Sequence, residues 1–135
     1  MDSDTRIQID TELGILNARH AARTIAADLG FDLTSQTLIA TAISELARNI
    51  LKYACRGEIL LRPVARNGAR GLTVVAADEG PGIADLELAM TDGFSTGQGL
   101  GLGLPGTKRL MDDFDLMSEV GKGTVITTTR WVRSK

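Results

Sequence analysis

Gly93-Phe94-Ser95-Thr96-Gly97-Gln98-Gly99-Leu100-Gly101-Leu102-Gly103-Leu104-Pro105-Gly106 is the stretch on which the reading of this chain turns. Its glycines at 97, 99, 101, 103 and 106 stand immediately before a segment of helical pattern. A glycine-rich loop that opens a helix makes an anion site, because its exposed N–H groups and the positive end of the helix dipole suit a triphosphate. A disordered linker is the competing explanation. Leucines at every second position argue against it, since a solvated linker has no need of them. The spacing is not G-x-x-x-x-G-K-[ST], and no strand-G-x-G-x-x-G-helix unit with a following ribose carboxylate is present, so the Walker and Rossmann readings both fail.

Outward from that loop, the pattern resolves into alternating layers. Towards the N-terminus, Arg6 to Asp10 alternates Ile7 and Ile9 with polar neighbours, which predicts a strand. Thr11 to Leu29 spaces Leu13, Leu16, Ala21, Ile25 and Leu29 at helical intervals, and Gly30 is a C-terminal stop. Asp32 or Thr34 can cap a second helix that runs to about Tyr53. Glu58 to Val64 and Leu72 to Ala77 read as neighbouring antiparallel strands, separated by the turn-like Arg66-Asn67-Gly68-Ala69-Arg70-Gly71. A short helix is expected from Asp85 to Met90 and another from Leu104 to about Asp112. Phe114 to Val120 and Thr124 to Val132 then form a hairpin about Gly121-Lys122-Gly123. The order strand, two helices, hairpin, helices, hairpin predicts an α+β two-layer sandwich, with helices on one face of a mixed, mainly antiparallel sheet.

The 135 residues, 43% of them hydrophobic, suit one domain over residues 1–135. A formal net charge of -2, from 15 basic and 17 acidic residues, offers no basic field for a phosphate backbone, so nucleic acid is not an expected partner. No apolar run approaches the ~20 residues needed to cross a bilayer, and the N-terminal Met1-Asp2-Ser3-Asp4-Thr5-Arg6 has no signal-peptide character. With a single cysteine, Cys55, no internal disulfide can form. A cytoplasmic location without membrane association is the expectation. His20 is the only histidine, so neither a His/Cys metal cage nor a Cys-His catalytic pair is available.

Three further groups can carry chemistry. Glu45 and Asn49 lie four apart on the second predicted helix, so they project from one face. An amide oxygen there can ligate Mg²⁺ while the carboxylate orients or deprotonates a nucleophile, although a solvated helix face carries such pairs too. Asp78 ends an apolar strand before Gly80, Pro81 and Gly82, where its carboxylate can accept from an exocyclic amine and the glycines admit a flat base; a plain turn has the same composition. Gly121-Lys122-Gly123-Thr124 is either a hairpin turn alone or one that sets the Thr124 hydroxyl near that base.

Taken in order, Glu45 to Asn49, Asp78-x-Gly80-x-Gly82, Gly99-x-Gly101-x-Gly103 and Gly123-Thr124 resemble the N, G1, G2 and final boxes of GHKL nucleotide-binding proteins. The resemblance covers nearly the whole chain. Ile43-Ser44-Glu45-Leu46-Ala47-Arg48-Asn49-Ile50 and Asp92-Gly93-Phe94-Ser95-Thr96 further resemble the RsbT-type kinases of that class. It implies a Bergerat fold with ATP between helices and sheet, under a lid at about 91–106. Residue by residue, it implies that Asp78 binds the adenine amine, that Gly80 and Gly82 shape the base pocket, and that Thr124 supports the base. Asn49 would hold Mg²⁺. Gly99, Gly101 and Gly103, with Leu100 and Leu102, would offer N–H groups to the phosphates, with Lys52 reaching them from the helix. Ile83 and Thr96 complete the expected nucleotide-binding set, and Glu45 would be the general base.

Within the class, gyrase, MutL and chaperone ATPases join this module to further domains, for which a chain of this length is not expected to have room. A sensor histidine kinase needs a dimerising helix with a phosphoacceptor, whereas His20 falls inside the first helix. The resemblance therefore implies a serine/threonine kinase whose substrate is a STAS-domain protein of a stress-signalling complex, with a PP2C-type phosphatase as second partner. Two alternatives stand beside it: an anti-sigma factor kinase that sequesters a sigma factor, and a nucleotide-gated binding module without transfer.

Overall fold

A computed structural model of the protein describes residues 4–80 and 103–133. The helix expected over Asp85 to Met90, and the lid up to residue 102, lie outside the described residues. The elements run β1 (Thr5–Ile9), α1 (Glu12–Leu29), α2 (Leu33–Ala54), β2 (Gly57–Arg66), β3 (Ala69–Asp78), α3 (Gly103–Leu110), β4 (Asp113–Glu119) and β5 (Gly123–Trp131). Sheet order is β1-β2-β3-β5-β4, and all four pairings among the described residues are antiparallel, in line with the mainly antiparallel sheet expected.

Local chemistry explains the boundaries. Gly30 takes φ +101°, with its N–H on the Ala27 carbonyl while Phe31 N–H reaches back to Ala26, a paired closure that only a left-handed residue permits without strain. Asp32, rather than Thr34, caps α2: its carboxylate accepts from Ser35 N–H at 2.7 Å. Strands β2 and β3 extend further than their apolar runs, pairing Arg66 with Ala69 so that only Asn67 and Gly68 form the turn. Ladder pairing needs backbone groups and not apolar side chains, so it continues through Ala65, Arg66, Arg70 and Gly71.

One core joins the layers. Ile9, Ile59, Leu61, Leu72, Val74, Ala76 and Ile126 from the sheet pack with Ile15, Ile39, Ile43, Leu46 and Ile50 from the helices. Helix α1 departs in part from its expected face: Ala21, Ile25 and Leu29 pack against the core as expected, but the first two leucines do not. Gly14, Ile15, Ala18, Ala22 and Ala26 are buried, whereas Leu13 and Leu16 are 62% and 56% exposed. Small residues let α1 come close to its neighbours, and the two leucines fall on the outer side. Helix α3 packs against α2 and delivers Leu104 to the core, so the segment after the glycine-rich stretch is anchored on the helix that carries Glu45 and Asn49. No helix among the described residues is long and apolar enough to cross a membrane.

Candidate functional site

At one end of the sheet, Gly57, Asp78, Thr124 and Ser118 form a row across β2, β3, β5 and β4. They share the face that α2 covers. The last turns of α2 sit directly on this end: a side chain at Gly57 would meet Ile50, and one at Gly80 would stand 2.5 Å from Ala54 Cβ. Backbone and sheet edge thus approach as closely as glycine allows.

Asp78 is half-buried, and its Oδ1 accepts from Gly80 N–H at 2.9 Å. That bond holds the carboxylate in place and leaves Oδ2 without a donor among the described residues. Thr124 is buried, with its hydroxyl 2.8 Å from Ser118 Oγ, and Ser118 Oγ also lies 3.1 Å from the Gly123 carbonyl. Ser118 was not singled out in the sequence. The one available signal was the tight hairpin, whose register places residue 118 opposite 124. Gly123 has φ +105°, and an added Cβ would collide with the Asp78 carbonyl oxygen, so only glycine fits between the two strands here.

On α2, Glu45 is 6% exposed, which removes the solvated-face reading of that helix turn. Its Oε2 accepts from Arg48 Nη1 at 3.0 Å. Asn49 is partly buried one turn beyond Glu45. Lys52 is exposed, with Nζ 5.2 Å from the Tyr53 ring centroid. Gly103 begins α3, so the last residues of the expected lid, 103–106, are its first helical turn. Gly82, Ile83, Thr96, Gly99, Leu100, Gly101 and Leu102 lie outside the described residues. His20 and Cys55 are both exposed.

The donor set suits a purine nucleotide. A fixed carboxylate with a spare oxygen and a buried hydroxyl sit beside backbone cleared of side chains, and an amide and a carboxylate stand on the covering helix. The two-layer fold, helices over an antiparallel sheet, is that of the kinase-like ATPases, and comparison bears out the fold and the family. The family model for the histidine kinase-like ATPase domain matches residues 11–130, and the chain belongs to that family. Among curated relatives, it is 50% identical over 133 residues to the serine/threonine-protein kinase RsbT of Bacillus subtilis, covering 98% of this chain and 100% of that one. It is 30% identical over 121 residues to the anti-sigma F factor of Thermoanaerobacter sp., covering 87% and 85%. Solved structures of similar fold include the RsbU and RsbW domains of a Mycobacterium tuberculosis protein, with a TM-score of 0.63 at 23% identity; the match spans 98% of this chain and 33% of that one. The mycobacterial sensor histidine kinase MprB follows, with a TM-score of 0.53 at 18% identity, covering 98% and 100%.

Proposed function

We propose that this chain is an ATP-dependent serine/threonine protein kinase that phosphorylates a STAS-domain protein in a bacterial partner-switching pathway, with a PP2C-type phosphatase as its second partner. The observation that carries the reading is the buried Glu45 carboxylate one helical turn from Asn49, on the helix that covers Asp78 and Thr124. The whole-length similarity to a protein named as a serine/threonine kinase supports it.

In this reading Asp78 Oδ2 accepts from the adenine amine, Thr124 supports the base, and Gly80 and Gly82 shape its pocket beside Ile83. Thr96, Gly99, Leu100, Gly101, Leu102 and Gly103 receive the phosphates, with Lys52 at their margin. Asn49 offers its amide oxygen to Mg²⁺, which when bound neutralises phosphate charge. Glu45 takes the proton of the incoming hydroxyl as its oxygen bonds to the γ-phosphorus and the bond to the β-phosphate oxygen breaks, releasing ADP. Most of the barrier falls to positioning and electrostatics.

The test incubates the chain with γ-labelled ATP, Mg²⁺ and purified STAS-domain proteins of the same genome. Label transfer is expected, and Glu45→Gln should lower it by roughly 100-fold or more while nucleotide affinity is retained. Asn49→Ala should weaken both. Tight nucleotide binding with no transfer to any STAS protein would favour the nucleotide-gated module instead. The 30% identity to an anti-sigma F factor motivates one control: capture of a purified sigma factor would move the assignment to the anti-sigma alternative.

A further inference from the structure

Glu45 has a single hydrogen-bonding partner among the described residues, Arg48, whose Nη1 lies 3.0 Å from Oε2. The pair is three residues apart on α2, so both side chains rise from the same side of the helix. Their surroundings differ: the Glu45 side chain is 7% exposed and that of Arg48 is 35% exposed. A carboxylate withdrawn from water to this degree needs a cation or donors to remain charged, and one guanidinium supplies the described contact. Glutamate also has three side-chain torsions, and burial alone does not choose the direction of its head group.

We infer that Arg48 is a positioning residue for Glu45: its guanidinium holds Oε2, fixes the carboxylate on its stem, and presents Oε1 to the acceptor hydroxyl. This rests on the reading of Glu45 as the base. Oε2 is committed to Arg48, so the proton leaves the hydroxyl for Oε1 while the hydroxyl oxygen's electron pair goes to the γ-phosphorus. Arg48 keeps its charge throughout and touches neither the nucleotide nor the acceptor. A lysine at this position would restore a positive charge without the planar fork that fixes direction, so it should restore part of the effect.

The experiment measures label transfer to the STAS-domain proteins at saturating ATP for the wild-type chain, Arg48→Ala, Arg48→Lys, Glu45→Gln and the double variant Glu45→Gln with Arg48→Ala, with the nucleotide Kd of each. Arg48→Ala should slow transfer about 10- to 100-fold with Kd unchanged, since misplacing a reacting group by about 1 Å costs that much. Arg48→Lys should recover part of the rate. Adding Arg48→Ala to Glu45→Gln should cost nothing more, because residues that act through one group are not additive. Undiminished or faster transfer by Arg48→Ala would overturn the assignment. So would a further loss in the double variant, which would put Arg48 on the substrate itself, or a loss of nucleotide affinity in step with the rate, which would make its role structural. If the wild-type chain transfers no label, the base reading fails first and the positioning role fails with it. Should Arg48→Ala not fold, Arg48→Lys carries the test, with a smaller loss of rate at unchanged Kd.

Discussion

Gly123 and Gly121 lie two residues apart in one hairpin, and both have positive φ, yet they do different work. At Gly121, φ is +83° and an added Cβ meets nothing within 4 Å. At Gly123, φ is +105° and the same atom would overlap the Asp78 carbonyl oxygen and crowd Glu79 Cα at 2.8 Å. Gly121→Ala should therefore cost only backbone strain, about 1 kcal/mol, whereas Gly123→Ala adds a collision with the neighbouring strand and should cost at least about 2 kcal/mol. Urea titration of both variants checks the contrast; equal losses would mean that β5 moves away from β3 without penalty. The residues proposed to face the nucleotide are legible in the sequence, because Asp78, Gly80, Asn49 and Thr124 sit at characteristic spacings. The residues that hold them give a weaker signal. Arg48 and Ser118 are ordinary surface-type residues in a string of letters, and only the helix turn and the strand register bring them to Glu45 and Thr124. Their spacings, three residues along a helix and opposite places in a tight hairpin, become informative only once those elements are in place.

Helix α2 is the element on which both halves of the site depend. It carries Glu45 and Asn49 in its middle, and its last turn contacts the backbone at Gly80 through Ala54. Its start rests on a single side-chain cap, the Asp32 carboxylate on Ser35 N–H. Asp32→Ala should lower the unfolding free energy by about 1 kcal/mol, read from the midpoint of a denaturant curve with its slope unchanged. Nucleotide affinity should stay close to wild type, since the cap is more than three turns from Asn49. Caps and stops are short-range chemistry, so Gly30 and Asp32 were readable in advance. The buried face of α1 was readable only in part. Periodicity weights large apolar residues and so finds Ile25 and Leu29, which pack against the core, but Gly14, Ile15, Ala18, Ala22 and Ala26 are the buried residues while Leu13 and Leu16 face out, a choice that belongs to the approach of the neighbouring elements.

At the scale of the molecule, one core runs through both layers and includes Leu104 and Met111 from beyond the glycine-rich stretch. Cooperative unfolding should therefore report occupancy of a site lodged between those layers. ATP at a hundred times its Kd is expected to add about 2.7 kcal/mol, which for a chain of this size raises Tm by roughly 10 °C. Asp78→Asn separates binding from folding. Because Gly80 N–H holds the Oδ1 position, an asparagine would keep its oxygen there and turn its NH₂ towards the base, donor against donor. The nucleotide-free variant should melt near the wild-type temperature, since the bond to Gly80 survives, yet ATP should shift it little. A full ATP shift in Asp78→Asn would place the base somewhere other than the end of β3; a large loss of Tm without nucleotide would make Asp78 a structural carboxylate rather than a recognition group.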